Sequence, residues 1–318
     1  MFENVRSLIE KYDRIILHRH QNPDGDALGA QLGLYYLIKE NYPQKQVFTV
    51  GDGSRRYGFM LDGKEMDTVE DEVYKDALAI VLDTSAAALI SDGRYKTAAE
   101  NARIDHHIFC EKICGTEVTD TSFESCAGMI AAMAKESAWL VPSAAAKALY
   151  TGMVTDSGRF RYDSTTAETF ALASFLMQTP FSTAEIYKNL YSDELANVKL
   201  RAHFVSKIQV TDAGVGYIYT TKEEAASLAA DTFTISRGMV NTMSDIRGID
   251  TWVNFTETED GVLCEIRSSL HNINQVATKW GGGGHKKASG ATLKSREDAM
   301  ALLADLDKVN SEESHEQG

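Results

Sequence analysis

The stretch Arg14-Ile15-Ile16-Leu17-His18-Arg19-His20-Gln21-Asn22-Pro23-Asp24-Gly25-Asp26 passes from a short apolar β-type run into strong loop formers, so a strand is expected to end near His20. From Asp26 or Ala27 to Glu40 the apolar residues Leu28, Leu32, Tyr35 and Tyr36 recur at helical spacing, with an aspartate near the start where it suits the helix dipole. The order strand, loop, helix returns at Ala77-Leu78-Ala79-Ile80-Val81-Leu82, a continuous apolar run expected of a parallel strand covered on both faces, which stops abruptly at Asp83-Thr84-Ser85. A third run, Ala102-Arg103-Ile104, is followed at once by Asp105-His106-His107. Ligands of an open α/β sheet bind outside the carboxyl ends of its strands, so these three polar clusters are expected to meet in space. Helical stretches follow around Ser125 to Trp139, Pro142 to Val154 and Thr166 to Met177, the middle one leading into Asp156, a fourth candidate.

At 318 residues the chain predicts two domains, each able to bury its own core. The expected fold class is α/β: an N-terminal parallel-sheet domain with flanking helices over 1–180, a polar helical linker over 181–203 and a smaller α/β domain over 204–310. Residues 311–318 read as a disordered tail. In the second domain Gly216 to Thr220 reads as a strand, and Thr251 to Glu257 with Val262 to Ser268 as a hairpin turning at Glu259-Asp260-Gly261.

The 46 acidic and 32 basic residues give a formal net charge of -14, which disfavours a long polyanion and favours short substrates. No run approaches the ~20 apolar residues needed to span a bilayer, and the first residues lack a secretory pattern, so no membrane association and a cytoplasmic location are expected. The four cysteines Cys110, Cys114, Cys126 and Cys264 are expected to be buried free thiols, since Cys110 and Cys114 are not followed by a second pair at zinc-site spacing.

An imidazole and two carboxylates, His20, Asp24 and Asp26, fall within seven residues on a loop shaped by Pro23 and Gly25. Alone, such a loop is more often a turn than a metal site; joined by Asp83, Asp105-His106-His107 and Asp156 it becomes a mixed nitrogen and oxygen shell suited to manganese, iron or cobalt. Four aspartates match the charge of two divalent cations, and Asp83 is central enough to bridge them. Two metals about 3.5 to 4 Å apart clamp an in-line phosphoryl displacement, which predicts phosphoester hydrolysis. Farther on, Gly281-Gly282-Gly283-Gly284-His285 lets backbone amides approach an anion, and His285 with Arg267 in Glu265-Ile266-Arg267-Ser268-Ser269 is expected to bind phosphate oxygens, as are the amides of Gly283 and Gly284 and the Ser268 hydroxyl. Arg159 and Arg161, just after Asp156, are further candidates to meet a substrate phosphate, whereas His18 and His203 lie outside every cluster and read as structural.

His20 to Ala27, Asp83-Thr84-Ser85, Asp105-His106-His107 and Asp156 resemble, in order and spacing, the four motifs of the DHH phosphoesterases, and the segment Gly281 to Gly290 resembles the glycine-rich signature of the DHHA1 domain. The resemblance implies an active site in the cleft between the two domains. It assigns His20, Asp24 and Asp83 to one metal and Asp26, Asp83, His106 and Asp156 to the other, with His107 facing the scissile phosphate and Asp105 supporting its neighbours without coordinating. It implies two divalent ions, most simply Mn2+ with Mg2+ or Co2+ as alternatives. Its substrates would be short oligoribonucleotides (nanoRNA) and nucleotide bisphosphates such as 3'-phosphoadenosine 5'-phosphate (pAp), with no long nucleic acid, and it leaves room for a homodimer. The same motifs also occur in cyclic-di-AMP phosphodiesterases, in enzymes acting on linear dinucleotides and in family II inorganic pyrophosphatases, which stand as the alternatives.

Overall fold

The computed structural model describes residues 1–313, and these form two compact units, Met1–Ser192 and Asp193 onward. In the first unit α1 (Glu3–Lys11) and β1 (Arg14–His18) precede α2 (Gly25–Asn41), β2 (Gln46–Thr49), α3 (Asp71–Tyr74) and β3 (Ala77–Leu82). There follow β4 (Glu100–Asp105), β5 (Thr116–Thr119) and the helices α4 (Cys126–Glu136), α5 (Ser143–Asp156), α6 (Ala167–Leu176) and α7 (Thr183–Tyr191). The five strands form one parallel sheet in the order β2-β1-β3-β4-β5.

That order turns back at β1. The chain leaves β1 toward β2 on one side, while β3 pairs with β1 on the other, in the register Leu17↔Ile80 and His18↔Val81. The crevice between the carboxyl ends of β1 and β3 is the switch point at which such sheets bind ligands. β3 is buried along its whole length, as its unbroken apolar sequence requires. The main core lies between the sheet and α2, α4 and α5, with Leu34, Ile80, Ile104, Met129 and Leu149 among its members. His18 is buried with its ring centroid 5.8 Å from that of Tyr74 and 6.2 Å from that of Tyr95, a packing role.

α2 begins at Gly25 because Asp24 caps it, its Oδ1 accepting from the amides of Asp26 and Ala27 at 3.0 Å each. α2 and α5 pack almost backbone to backbone. A Cβ placed on Gly29 would lie 2.7 Å from the Ala148 carbonyl oxygen and 2.9 Å from the Gly152 Cα, and one on Gly152 would lie 2.6 Å from the Ala127 Cβ. Only glycine permits this approach.

The second unit opens with α8 (Leu195–Ser206), β6 (Gln209–Val210), β7 (Val215–Thr220) and α9 (Lys222–Ser227). The hairpin strands β8 (Thr251–Thr258) and β9 (Gly261–Ser268) follow, turning at Glu259-Asp260 as its sequence indicates. α10 (Asn274–Lys279), β10 (Gly283–His285), β11 (Ala288–Leu293) and α11 (Arg296–Glu313) complete it. The mixed sheet β10-β11-β9-β8-β7-β6 is antiparallel except for the β7–β8 pair. Val253, Phe255, Cys264 and Ile266 on one face meet Leu302 and Leu306 of α11, while Ile218 and Trp252 on the other meet Phe204 and Met243.

Three sequence expectations differ from this picture. The glycine run reads as a loop, but Gly283–His285 is an edge strand paired with β11, in the register Gly284↔Ser289. Glycine has no strand propensity to read, and here its missing side chain is what the pairing needs: a Cβ on Gly284 would lie 2.6 Å from the Ala288 carbonyl oxygen. Cys114, Cys126 and Cys264 are buried thiols, whereas Cys110 is exposed, because it sits on the irregular segment after His107 where no element covers it. The tail expected from residue 311 differs too: 311–313 continue α11, and 314–318 lie outside the described residues. No helix among the described residues is long and apolar enough to cross a membrane.

The α2–α5 contact gives the first prediction. Gly29→Ala drives a methyl group into backbone that cannot yield as a side chain would, and should lower stability by about 1 to 3 kcal/mol. A urea unfolding series reads this as a lower midpoint, and an unchanged midpoint would contradict the close helix approach.

Candidate metal centre and phosphate-binding groups

His20 follows β1 and is held by a backbone bridge to Ile90, while its Nδ1 lies 2.8 Å from the Gln21 carbonyl oxygen. That contact turns Nε2 toward carboxylates, 3.8 Å from Asp24 Oδ1 and 3.6 Å from Asp83 Oδ2. His106, after β4, is oriented the same way: Nδ1 lies 3.3 Å from the Phe123 carbonyl oxygen. Its Nε2 is 3.7 Å from Asp26 Oδ2, 3.5 Å from Asp83 Oδ1 and 3.4 Å from Asp156 Oδ2. A carbonyl on one ring nitrogen fixes which nitrogen faces the site, the usual arrangement behind a metal-binding imidazole.

Asp83 is the meeting point. Its Oδ2 faces the His20 group and its Oδ1 faces the His106 group, so one carboxylate touches both halves of the cluster. Oδ1 is buried and accepts no hydrogen bond among the described residues. A buried carboxylate oxygen left in that condition is costly, and a cation is the partner its surroundings fit. Asp83 also carries φ +51°, a left-handed backbone that aspartate tolerates better than most residues, as the chain turns off β3.

Ligand atoms of His20, Asp24 and Asp83 lie within 4.8 Å of one another, as do those of Asp26, His106 and Asp156, and those of Asp83, His106 and His107. All six expected ligands thus gather in one place, together with His107. His107 Nδ1 lies 2.7 Å from Asp105 Oδ1, which leaves Nε2 as its free nitrogen. Asp105 is buried and is itself backed by Arg103 Nη1 at 4.0 Å, so it positions His107 directly.

The electrostatics record how crowded the cluster is. Burial works against a proton on His20, but hydrogen bonds to Asp24 and Asp83 outweigh it and push its pKa up to about 10. Burial likewise opposes protonation of His106, and Asp83, Asp26 and Asp156 together push it up to about 10. Burial raises Asp156 to about 6, with the charges of Asp83 and Asp24 adding to it against His106 and His107. Asp26 is pushed well above the carboxylate range by burial and by Asp83, although the amides of Cys126 at 2.7 Å and Ala127 at 2.8 Å, the start of α4, donate to its two oxygens. Asp83 goes the other way: burial opposes its charge, but the imidazoles of His106, His20 and His107 hold it well below the usual range. Such a set of carboxylates and imidazoles fits divalent cations, with nitrogen and oxygen donors both present.

Several supporting residues give no signal in the sequence. Arg19 is fully buried beneath His20, its Nε donating to Gln31 Oε1 at 2.9 Å, Nη1 to the His20 carbonyl oxygen at 3.1 Å, and Nη2 to the Asp52 carbonyl. Asp52 in turn accepts from the Asn22 amide at 2.7 Å and from Ser91 Oγ at 2.6 Å. The loop that carries His20 and Asp24 is therefore tied down from below. Glu124 is buried at the start of α4 and accepts from Ser125 Oγ at 3.0 Å and Thr169 Oγ1 at 2.9 Å. Arg103 alone leaves a trace, as a charge inside an apolar strand.

In the second unit the pairings Arg267↔Ala288 and Ala288↔His285 place Arg267 and His285 in one row across β9, β11 and β10, on one face of the sheet. His285 is exposed, while Arg267 is half-buried and donates through Nη2 to Glu265 Oε2 at 3.1 Å. Gly283 and Gly284 are exposed beside them. Ser268 departs from expectation. It is buried and its hydroxyl donates to the Asp250 carbonyl at 2.8 Å while accepting from the His271 amide at 2.7 Å, so its one proton serves the fold. Arg159 and Arg161 are exposed in the first unit, Arg159 lying over the Tyr191 ring at 4.6 Å. His203 shares Glu224 with Lys207, a local tie.

Comparison with known proteins identifies the family. Residues 14–153 match the DHH family, N-terminal domain, and residues 226–312 match the DHHA1 domain. The chain is 36% identical to the bifunctional oligoribonuclease and PAP phosphatase NrnA of Bacillus subtilis (strain 168), an alignment covering 96% of this chain and 97% of that one. It is 32% identical to the protein of the same description from Mycoplasma pneumoniae, over 95% and 94% of the two chains. An exopolyphosphatase-related protein from Bacteroides fragilis superposes with a TM-score of 0.79 at 24% identity, over 96% of this chain and 95% of that one, which bears on the fold. With relatives this similar over nearly its whole length, and with a histidine and aspartate cluster able to hold metal at the sheet's switch point, the chain belongs to the metal-dependent DHH phosphoesterase family and carries a DHHA1 domain.

Proposed function

We propose that this enzyme uses two divalent metal ions, Mn2+ by preference, to hydrolyse short oligoribonucleotides to mononucleotides and pAp to AMP. The observation that carries the reading is Asp83, whose two oxygens face two different ligand groups. On this reading His20, Asp24 and Asp83 would hold one ion, and Asp26, Asp83, His106 and Asp156 would hold the other. Manganese suits a shell that mixes imidazole with carboxylate. Such ions supply the Lewis acidity that makes water nucleophilic near neutral pH and stabilises charge on phosphoryl oxygens.

The chain's own residues supply placement. His107, fixed by Asp105, turns its free Nε2 to the transferring phosphoryl group, and hydrogen bonding to Asp105 raises its pKa and so favours the protonated ring, with the Asp83 charge adding to it against burial. Water adds to phosphorus, the bond to the ribose oxygen breaks, and that oxygen leaves with a proton. Arg267 and His285 hold a non-reacting phosphate, helped by the amides of Gly283 and Gly284. The names of the Bacillus and Mycoplasma relatives support both substrate classes.

Three substitutions test this. Asp83→Asn should abolish turnover and lower bound manganese while circular dichroism stays unchanged; near wild-type activity in the folded variant would sink the two-ion assignment. His107→Ala should keep both metals and lose most of kcat, so metal loss there would mean the adjacent histidines have exchanged roles. Arg267→Ala or His285→Ala should lower kcat/KM for pAp and diribonucleotides by ~10 to 100-fold, as expected for a charge-assisted contact. The activated minimal ester bis-p-nitrophenyl phosphate should lose far less, and an equal loss on both substrates would refute the recognition role.

A further inference from the structure

Next to Asp156 the backbone does something rare. Gly158, Arg159 and Phe160 have φ of +56°, +66° and +61°, three consecutive left-handed residues of which two carry side chains. Left-handed conformation is normally visited by single residues, so a run of three is held by what surrounds it. The Phe160 ring packs 5.9 Å from that of Tyr150 and 5.5 Å from that of Phe170, the amide of Phe160 donates to Ser157 Oγ at 2.9 Å, and the Tyr162 ring closes over Gly158. The outcome of the turn is that Arg159, Arg161 and Tyr162 are displayed on one side of a pocket of about 190 Å3, completed by Arg56, Tyr57, Thr155, Leu190 and Tyr191.

Among the described residues none of Arg56, Arg159 and Arg161 has a carboxylate partner, in a chain with 46 acidic residues. Instead they lie against aromatic rings or backbone: Arg159 is 4.6 Å from the Tyr191 centroid, Arg56 is 5.2 Å from that of Tyr57, and Arg161 Nε donates to the Gly158 carbonyl at 3.0 Å. A guanidinium with its face on a ring keeps in-plane donors for a planar or tetrahedral anion. Tyr162 is 57% exposed and Tyr191 38%, so part of each ring remains open to a ligand. The pocket adjoins the metal cluster through Thr155, which precedes Asp156 and whose side chain fills the space a Cβ on Gly25 would need.

We propose that this pocket is a nucleotide subsite of the first unit, binding the base of a substrate nucleotide against Tyr57, Tyr162 and Tyr191 and its phosphate on Arg56, Arg159 and Arg161. It rests on the reading of the neighbouring cluster as a phosphodiesterase centre and adds what that reading lacks, a reason for the base to matter. Three arginines and three tyrosines make a site for a group that is anionic and aromatic at once, which a nucleotide is and an inorganic phosphate is not. Stacking on tyrosine tolerates every base, so the subsite admits mixed oligoribonucleotides.

The test uses the full chain with Mn2+ and two probes, AMP and ribose 5-phosphate, titrated by calorimetry. Arg56→Ala/Arg161→Ala should weaken both probes by ~10-fold or more. Tyr191→Ala should weaken AMP by ~10-fold and leave ribose 5-phosphate unchanged, while Tyr191→Phe keeps both. In turnover, wild-type enzyme should prefer a diadenylate over the same dinucleotide with one base removed, and Tyr191→Ala should erase that preference. AMP affinity equal in wild type and Tyr191→Ala, or a preference that survives the substitution, overturns the subsite. Should wild-type enzyme cleave neither pAp nor dinucleotides, the functional reading fails by itself, and the AMP titrations still decide the pocket. If the double arginine variant unfolds, the contrast in AMP affinity between Tyr191→Ala and Tyr191→Phe supports or overturns the subsite without it.

Discussion

Four carboxylates, Asp24, Asp26, Asp83 and Asp156, converge at one end of a parallel sheet, and their mutual repulsion is the constraint to which the surrounding structure answers. Two like charges about 4 Å apart repel by roughly 4 kcal/mol at the effective dielectric typical of protein surfaces, and more where water is excluded. The fold offsets part of this with dipoles and imidazoles. The amides that open α2 meet Asp24, those that open α4 meet Asp26, and three histidines surround Asp83. Asp156 has the imidazole of His106 at 3.4 Å but no helix-opening amides, because it is the last residue of α5, where the helix dipole is itself negative. Burial, with the charges of Asp83 and Asp24, pushes its carboxyl to about 6 against His106 and His107, and the charge that remains uncompensated is of the kind that divalent cations neutralise.

Holding such a cluster in place requires rigid support, and that support is polar as well as apolar. Arg19 and Arg103 are both fully buried, each beneath a motif: Arg19 ties the His20 loop to Asp52, and Arg103 stands behind Asp105 with Nη2 3.3 Å from Glu117 Oε2. Truncating one partner of a buried ion pair commonly costs about 3 to 5 kcal/mol, because the other charge is left behind. These arginines therefore couple metal-site geometry to the stability of the sheet. The glycine seam between α2 and α5 serves the same end from the helical layer, since Asp26 and Asp156 sit on those two helices.

The sheet was legible because its central strands are unbroken apolar runs that end in polar clusters, and a parallel sheet gathers such ends at one edge. Helix limits were legible to within a few residues where caps announce them, as Ser125 does for α4. β2 and β5, four residues each, left no signal, since short edge strands need little apolar sequence. β10 was hidden for another reason: its glycines are chosen for close pairing with β11, and glycine otherwise reads as loop. Ser268 shows where motif reasoning fails. Its position beside Arg267 suggests a substrate contact, but alternation along β9 turns it inward, where Asp250 and His271 engage its hydroxyl. The left-handed turn at 158–160 had no sequence sign either, because arginine and phenylalanine there contradict local preference and are held by Tyr150, Ser157 and Phe170.

Charge distribution decides what kind of polymer can approach. At physiological ionic strength electrostatic influence fades over about 8 Å, so a substrate of one or two nucleotides feels the local arginines, while each further nucleotide meets the average field of a chain with net charge -14. Among the described residues that line the pocket beside the metal cluster, Arg56, Arg159 and Arg161 have no carboxylate partner. In the second unit Arg267 is paired with Glu265. On the proposed function a long strand would gain little past the first contacts and meet net repulsion beyond them. On the proposed function, that balance would favour short substrates without a wall to exclude longer ones, since length itself carries the penalty.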